Sequence, residues 1–322
     1  MAATQTQDLL QAAELLAQGQ LVAIPTETVY GLAANALDPK AVSHIFTVKE
    51  RPAFDPLIVH LAQGEDMAQY VAALPPAFER LYRYFGAGPL TYILPKKALI
   101  PDIVTAGHST VGIRIPRHPL TQQLLSDLPF PLAAPSANIF GRLSPTSADH
   151  VADQLGERIP LILDGGQCAV GVESTIVDLS GKQARVLRLG GLSLEALTKA
   201  LGHKPAVNAH SASNPRAPGM LSAHYSPGKP LELVERLPGI IPEAPRTGLL
   251  CFRRAPADHP EYLKEVLSPE GDLETAATRL FAALRKLSAE PQVKQILAET
   301  FPEEGLGRAI NDRLRRAAYR GT

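Results

Sequence analysis

The segment LVAIPTETVYGL, residues 21–32, decides the fold. Its first four residues are all aliphatic, which predicts a short buried strand that ends at Pro25. Two threonine hydroxyls, a carboxylate and a tyrosine then crowd into the bend that follows the strand. The end of a strand is where α/β folds commonly bind ligands, although the same residues also suit the capped start of a helix. The segment therefore predicts a buried strand and leaves both interpretations of the bend open.

Outward from this segment, short apolar runs alternate with amphipathic stretches over the first two hundred residues. The pattern predicts strands over 21–24, 57–61, 91–94, 111–115, 132–134, 160–163, 174–179 and 184–188. It predicts helices over 4–18, 39–50, 77–85, 119–127, 147–155 and 193–201. Such alternation is typical of an α/β fold with a mixed sheet.

The composition changes over residues 203–230, which are rich in Pro, Ala, Ser, Asn and His and have no apolar period. This composition predicts a linker. Beyond it we expect a smaller α/β unit, with strands over 231–234 and 247–252 and helices over 273–287 and 307–319.

Charge excludes some classes of function. The chain has 322 residues, with 32 Lys plus Arg and 32 Asp plus Glu. Zero net charge argues against a broad nucleic-acid surface, which needs a basic excess. The last predicted helix is nevertheless basic, and its side chains form either a solvated face or a contact with RNA or a partner. They are Arg308, Arg313, Arg315, Arg316 and Arg320.

The chain also lacks several familiar signatures. Cys168 and Cys251 are too few and too far apart for a metal quartet or a disulfide framework. The first 21 residues do not resemble a signal peptide, and no apolar run reaches the ~18 residues of a membrane span. We therefore expect a cytoplasmic protein. Since phosphate-loop, dinucleotide-glycine, zinc-protease and nucleophile-elbow motifs are missing, a nucleotide would be bound by an unfamiliar set of loops.

Candidate charged ligands lie near the ends of predicted strands. Lys49 and Arg51 belong to the segment KERPAFDPL, in which two prolines stiffen the loop. Both cations are typical of a helix C-terminus, but they suit a polyphosphate equally. His60 falls within the next strand. Arg114, in VGIRIP, is costly inside an apolar strand unless it meets an internal carboxylate or a ligand anion, and both remain open.

Three further strings offer neutral hydrogen bonds, glycine turns and an aromatic pair. APSAN follows a strand end and supplies Ser136 and Asn138, and Ser144 begins a Ser-Pro-Thr turn. Glycine pairs precede GVESTIVD and follow Arg188, where they suit turns with positive φ or main-chain N–H groups presented to an anion. In the linker, APGMLSAHYSP over 217–227 forms either a lid or an adhesive contact with a domain surface.

Together these strings resemble one family. Residues 8–202 resemble the YrdC-type domain, and the whole chain resembles the long, two-domain form of threonylcarbamoyl-AMP synthase. The matching strings are PTETVYGL, KERP…DPLIVH, VGIRIP, APSAN, the Ser-Pro-Thr turn, GVESTIVD, RLGG and APGMLSAHYSP. The resemblance implies a YrdC-like catalytic domain over 1–207 with a twisted mixed sheet, a linker or lid over 208–230, and a smaller Rossmann-like α/β accessory domain over 231–322.

The resemblance also implies a reaction. It predicts a nucleotidyltransferase that makes L-threonylcarbamoyl-adenylate and pyrophosphate from L-threonine, bicarbonate or CO₂, and ATP. The product would serve threonylcarbamoyladenosine modification of tRNA, completed by downstream threonylcarbamoyl-transfer proteins. Mg²⁺ is expected with ATP, without a metal site built from protein side chains.

Matched positions then imply roles for individual residues. L-threonine would be held by Thr28, His60, Arg114, the Ala134 main chain and Ser174. ATP would be bound by Lys49, Arg51, Asp55, Thr110, Ser136, Asn138, Ser144 and Arg188. His224 and Tyr225 would close the lid.

Two other functions compete with this interpretation. Hydrogenase-maturation proteins carry a similar domain and transfer carbamoyl groups, but they add cysteine sets that this chain lacks. A non-catalytic RNA-binding module is the second alternative, since this domain type has a concave basic surface. Residues 1–207 carry 16 basic and 18 acidic side chains, which weakens that alternative and leaves weak RNA binding open.

Overall fold

The computed structural model describes residues 2–208, 217–219, 221, 223–237, 246–255 and 262–319. Within the first range, eleven strands form one sheet. They are β1 (Thr4–Thr6), β2 (Val22–Ile24), β3 (Gly31–Asn35), β4 (Ile58–His60), β5 (Leu90–Pro95), β6 (Thr110–Arg114), β7 (Leu132–Ala133), β8 (Leu161–Leu163), β9 (Thr175–Asp178), β10 (Arg185–Arg188) and β11 (Ala206–Val207). The helices of this part are α1 (Leu9–Ala17), α2 (Pro39–Lys49), α3 (Met67–Tyr70), α4 (Pro76–Phe85), α5 (Asp102–Thr105), α6 (Pro119–Asp127), α7 (Ala148–Leu155) and α8 (Leu194–Leu201).

The sheet is mixed, as predicted. Its strand order is β1-β8-β2-β3-β7-β4-β6-β5-β9-β10-β11. β4 pairs with β6 in parallel, so that His60 lies directly beside Arg114, whereas β7 pairs with β3 and β4 antiparallel. The parallel register of β4 and β6 therefore brings two predicted ligand residues to the same end of the sheet.

Alternate residues of the central strands pack on opposite faces of the sheet. Val22 and Ile24 pack with α1 and α6 on one face, while Ala23 and Leu32 belong to the larger core on the other. This is the two-residue period of a strand whose two faces are both covered. The predicted buried strand at the start of LVAIPTETVYGL is confirmed.

One local prediction was wrong, and one open alternative is excluded. The predicted helix over 4–18 is a strand followed by a helix, because the Asp8 carboxylate accepts a hydrogen bond from the Gln11 N–H (3.0 Å) and caps α1 there. The bend after Pro25 does not begin a helix. It joins β2 to the antiparallel strand β3, whose Gly-Leu-Ala-Ala-Asn sequence has weak strand propensity and is held by pairing on both sides.

The second unit contains a parallel sheet of four strands in the order β12-β15-β13-β14. Its strands are β12 (Leu231–Val234), β13 (Thr247–Cys251), β14 (Lys264–Val266) and β15 (Gln295–Glu299), and its helices are α9 (Leu273–Ala289) and α10 (Gly307–Ala318). A parallel sheet with long helices is the Rossmann-like α/β arrangement that we expected. Across the described ranges, no helix is long and apolar enough to cross a membrane.

The two units share a hydrophobic core. Val29 and Val172, from loops of the first unit, pack with Tyr225 of the linker and with Phe281 of α9. The approach is close at Gly171, which has φ of +75°. A Cβ placed there would lie 2.4 Å from the Cα of Thr278 and 2.7 Å from the Ala277 carbonyl oxygen. Only glycine therefore fits both the backbone conformation and the contact with α9.

The basic side of α10 is buried in part and engaged in ion pairs. Arg313 is fully buried, and its partner is Glu173 of the first unit. The other arginines described in this helix form ion pairs, Arg308 with Glu195, Arg315 with Glu303 and Arg316 with Asp312. Arg320 lies outside the described residues. The exposed Arg315 fits the solvated face of the first interpretation, whereas the buried Arg313 makes a contact between the units that neither interpretation included.

We predict that Gly171→Ala destabilises the protein more than Gly166→Ala. Gly166 also has positive φ (+77°), but a Cβ there meets nothing within 4 Å. Both substitutions carry the left-handed strain of about 1–2 kcal/mol, while Gly171→Ala adds overpacking of about 2 kcal/mol. Urea unfolding of the two variants measures the difference. Equal losses would show that the units do not depend on this contact.

Candidate active site

A cavity of about 50 Å³ lies where the predicted strings meet. This volume is far below the roughly 300–1,000 Å³ of a small-molecule pocket, since residues of the linker cover the cavity. Its walls come from the PTETVYGL bend, the ends of β4 and β6, the APSAN turn, the GVESTIVD segment, the end of β10 and the linker. The predicted residues that line it are Thr28, Arg51, His60, Arg114, Ala134, Ser136, Ser174, Arg188, His224 and Tyr225.

The PTETVYGL bend is held by its own hydroxyl groups. The Thr26 hydroxyl donates to the Val29 carbonyl oxygen (2.7 Å) and accepts from the N–H of Thr28 (3.1 Å). The Oγ1 atoms of Thr26 and Thr28 are 2.8 Å apart. These bonds close a compact side-chain turn, which fixes the Thr28 side chain at the cavity wall.

Arg114 has an internal carboxylate partner. Its Nη2 donates to the Glu27 Oε1 at 2.6 Å, and its Nε donates to the Gly88 carbonyl oxygen at 3.2 Å. Burial alone would raise the pKa of Glu27, but Arg114 and the N–H of Arg117 outweigh it and hold that pKa below its usual value. Of the two partners left open for Arg114, the structure shows the internal carboxylate. The charge of the buried guanidinium is therefore compensated without a ligand.

His60 is neutral in this setting. Its Nδ1 lies 3.2 Å from the Ile58 carbonyl oxygen. Burial lowers the pKa of His60 to about 3, and the positive charge of Arg114 contributes in the same direction. A neutral imidazole beside a charged guanidinium adds no further repulsion, so both can share one wall of the cavity.

The KERPAFDPL loop presents one cation to the cavity and buries another. Arg51 pairs with Asp55, with Nη2 and Oδ2 3.0 Å apart, and donates to the carbonyl oxygens of Asp55 and Pro56. Lys49 does not line the cavity; its ammonium donates to the carbonyl oxygens of Ser136 and Asn138. Burial lowers the pKa of Lys49 well below its usual value, helped by Arg51. Lys49 therefore stabilises the APSAN turn without lining the cavity itself.

Arg188 fastens the linker to the sheet. Its Nε and Nη2 donate to the Ser174 carbonyl oxygen (3.1 and 3.0 Å), and its Nη1 donates to the Pro218 carbonyl oxygen (3.0 Å). Ala217 of the same linker packs on Ile58, Ile93, Ile176 and Leu187. Burial lowers the pKa of Arg188 to about 10, which still leaves it charged at neutral pH.

Tyr225 joins the linker to the second unit. It is 1% exposed and has a φ of +63°, a strained value for a bulky residue. Its ring stacks on Phe281 (5.6 Å between centroids), and the Arg313 guanidinium lies 5.6 Å from its centroid. His224 contacts the Tyr225 ring and, from the other side, Phe140. The linker is thus closed over the cavity in this structure.

Glu173 is the main wall residue that the sequence analysis missed. Its Oε1 accepts from the Ser144 hydroxyl (2.5 Å), and its Oε2 accepts from the Arg313 Nε (3.0 Å). The carboxylate lies within the quoted string GVESTIVD, flanked by Val172 and the predicted Ser174. Its partner is 140 residues away along the chain, so no local pattern could identify the pair.

Five predicted ATP residues do not line the cavity. Lys49, Asp55, Asn138 and Ser144 each bond to a residue that lines it; the main-chain N–H of Asn138, for example, donates to the Ser136 carbonyl oxygen at 3.0 Å. Thr110 is different. It begins β6 while Arg114 ends it, a separation of roughly 13 Å at the rise of a strand. The structure therefore does not bring Thr110 to this cavity, and its assignment stays a prediction.

No built metal centre is found: in the described part of the chain, no three His, Cys, Asp or Glu side chains are grouped so as to hold an ion. The nearest carboxylates are engaged by Arg51, Arg114 and Arg313. The residues present therefore do not fit a magnesium ion held by the protein alone.

The fold and the cavity define a two-unit α/β protein with a small pocket whose lining includes three buried arginines. Comparison with known proteins shows what such a molecule is. The Sua5/YciO/YrdC family model, described as telomere recombination, matches residues 14–190. The model of the threonylcarbamoyl-AMP synthase C-terminal domain matches residues 192–319. Helix α8 lies within the residues that the second model matches, but its buried side chains pack in the core of the first unit. The predicted boundary at residue 207 therefore stays a prediction.

Whole-chain relatives agree. Threonylcarbamoyl-AMP synthase of Pyrococcus abyssi (strain GE5 / Orsay) is 41% identical over 95% of this chain and 93% of its own length. That of Bacillus subtilis (strain 168) is 40% identical over 98% and 94%. The crystal structure of P. abyssi Sua5 complexed with L-threonine has a TM-score of 0.90 at 37% identity and covers 99% of this chain and 98% of that one. The chain belongs to the two-domain threonylcarbamoyl-AMP synthases of this family, which are AMP-transferring enzymes.

We predict that the buried His224 makes the protein acid-labile. Burial lowers its pKa from 6.5 to about 3, although the Glu173 carboxylate opposes the shift. The unfolded chain therefore binds a proton at His224 near pH 6.5, whereas the folded protein binds it only near pH 3. The free energy of unfolding consequently falls as the pH decreases through this window. His224→Gln should flatten the dependence by about 1.4 kcal/mol per pH unit between pH ~6 and ~4.

The free energy of urea unfolding at several pH values tests this. The matched control is His44→Gln, because His44 lies exposed on α2. It should leave the dependence as in the wild type. An identical slope in His224→Gln and wild type would contradict the prediction.

Proposed function

We propose that the enzyme makes L-threonylcarbamoyl-adenylate from L-threonine, bicarbonate or CO₂, and ATP, with release of pyrophosphate. One observation carries the proposal: all five residues assigned to threonine line the same cavity as Arg51, Ser136 and Arg188, which are assigned to ATP. A reaction that joins an amino acid to a nucleotide needs both to meet in one enclosed space.

The threonine end of the cavity is formed by the adjacent ends of β4 and β6. We expect the substrate carboxylate to contact Arg114, whose Nη1 donates to no described residue although its other nitrogens are bonded. The Ala134 N–H is already bonded to the Ile58 carbonyl oxygen, so the carbonyl oxygen of Ala134 is the main-chain group available to the substrate. The known complex of the P. abyssi relative with L-threonine supports this choice of amino acid.

The ATP end is formed by Arg51, Ser136 and Arg188, with Lys49, Asn138 and Ser144 behind them. Guanidinium groups bind phosphate oxygens through two parallel hydrogen bonds. Arg188 is the strongest candidate, since its described partners are carbonyl and hydroxyl oxygens and not a carboxylate. Among the described residues it has no direct ion-pair partner that a phosphate would have to displace.

The chemistry requires positioning and charge stabilisation and no protein nucleophile. The threonine amine adds to CO₂ and loses a proton to give a carbamate. A carbamate oxygen then attacks the α-phosphorus of ATP, and the bond to pyrophosphate breaks. Fixed cations stabilise the charge that develops on the phosphate oxygens. We expect Mg²⁺ to enter with the ATP phosphates, because the described carboxylates offer it no site of their own.

We place the enzyme in the cytoplasm, where downstream threonylcarbamoyl-transfer proteins would use the product to modify tRNA. Both cysteines are buried and unpaired, as a reducing compartment favours. We expect RNA binding by this chain itself to be weak, because the described arginines of α10 are engaged in ion pairs.

A pyrophosphate-release assay tests the proposal. Purified enzyme should release pyrophosphate from ATP and Mg²⁺ only when threonine and bicarbonate are both present. Because the proposed attacking group is the carbamate of threonine, omission of threonine or bicarbonate leaves ATP with nothing to attack it. Release that continues without threonine would overturn the assignment.

We further predict that Arg114→Lys raises the KM for threonine by roughly 10–100-fold, because lysine cannot bond to Glu27 and to a substrate carboxylate with one planar fork. Arg158→Lys is the control, since Arg158 forms an exposed pair with Glu50 away from the cavity. Steady-state kinetics of both variants decide the matter. An unchanged threonine KM in Arg114→Lys would remove Arg114 from the substrate site.

A further inference from the structure

One side chain of the second unit reaches the wall of the cavity. Arg313, on α10, is completely buried. Its Nε donates to the Glu173 Oε2 at 3.0 Å, and its Nη1 donates to the Leu189 carbonyl oxygen. Leu189 directly follows Arg188, the proposed phosphate ligand. A single guanidinium thus holds two segments of the cavity wall.

Both carboxylate oxygens of Glu173 and its main-chain oxygen accept hydrogen bonds. Its Oε1 accepts the hydroxyl hydrogen of Ser144, and its main-chain oxygen accepts from the Gly191 N–H (2.9 Å). The approach of the chain at this point excludes any side chain on Gly190, where a Cβ would lie 2.2 Å from the Glu173 carbonyl oxygen. The glycine pair after Arg188 therefore serves close packing against Glu173.

The charge state of Glu173 limits what it can do. Burial would raise its pKa, but Arg313, Arg188 and the Ser144 hydroxyl together lower that pKa to about 2. A carboxylate this acidic is ionised at neutral pH and makes a poor general base. Its contribution is that of a fixed negative charge and a double hydrogen-bond acceptor.

We propose that Arg313 is a positioning residue of the active site, which acts through Glu173 and the Leu189 carbonyl to hold Ser144 and Arg188 in the geometry that binds the phosphates of ATP. The proposal rests on the proposed function for its choice of ligand. It makes the cavity of the first unit incomplete without α10, and it gives the second unit a direct part in substrate binding.

A purely structural role is the alternative, in which the Arg313–Glu173 pair only attaches the two units. The two roles predict different behaviour when both charges are removed. Loss of one partner leaves a buried charge unpaired and is strongly destabilising, whereas replacement of both by neutral groups of similar size often restores stability. If the pair is purely structural, ATP binding should recover together with stability when both charges are removed. If Arg313 positions the site, stability should recover and ATP binding should not.

The experiment compares Arg313→Met, Glu173→Gln and the double variant in the full chain. Arg315→Met is the matched control, because Arg315 lies on the same helix and pairs with Glu303 at the surface. Melting temperature is measured for each variant, together with KM for ATP and KM for threonine in the pyrophosphate assay. Calorimetric titration with ATP is run in parallel because it needs no turnover.

We expect Arg313→Met to melt lower and the double variant to return to within about 3 °C of the wild type. In the double variant the KM and Kd for ATP should stay at least about tenfold raised, while the KM for threonine changes less than about threefold. Arg315→Met should match the wild type throughout.

Recovery of ATP binding together with stability in the double variant would overturn the proposal, as would an equal loss for ATP and threonine. Normal ATP binding by Arg313→Met alone would overturn it as well. A wild-type enzyme that binds ATP but releases no pyrophosphate would instead disprove the proposed function, and calorimetry of the variants would still decide the positioning role.

Discussion

Burial of charge is the constraint on which the rest of this structure depends. Lys49, Arg51, Arg114 and Arg188 are each less than 9% exposed, and an uncompensated buried cation costs several kcal/mol. The fold supplies two kinds of partner: carboxylates for Arg51 and Arg114, and main-chain carbonyl oxygens for Lys49 and Arg188. Carbonyl oxygens are available to side chains mainly where the backbone leaves the sheet. The proline-rich and glycine-rich turns around the cavity are therefore the means by which the site holds its cations.

The same constraint explains why the two units are packed as one body around the linker. Glu173 carries a negative charge at the cavity wall, and its closest cation, Arg313, comes from α10. Tyr225 lies between the units with one side against Phe281 and its ring within reach of Arg313. The strained backbone of Tyr225 persists because this packing determines its position. The linker is thus held at Pro218 by Arg188 and at Tyr225 by the second unit.

Much of the fold and of the cavity could be predicted from the sequence, because short-range patterns encode them. The strand that precedes Pro25 and the strand that carries Arg114 follow from apolar runs, and the ligand residues from strings that resemble a known family. Strand β3 was missed because its small residues have little strand propensity and rely on tertiary pairing. The pair of Glu173 and Arg313 was missed for another reason: 140 residues separate them. One chain without aligned relatives shows no sign of such a contact.

The distribution of compensated charge also matches the two proposed ligands. At the threonine end, Arg114 is neutralised by Glu27, and an amino acid enters as a zwitterion with no net charge. At the ATP end, neither Lys49 nor Arg188 forms an ion pair within the part of the chain that the structure describes, and the polyphosphate brings several negative charges. A site built for two anions would leave excess cations at both ends. The absence of a direct ion-pair partner for Arg188 among the described residues thus supports the proposal that the nucleotide binds at that end, and the Arg114–Glu27 pair suits a zwitterionic amino acid.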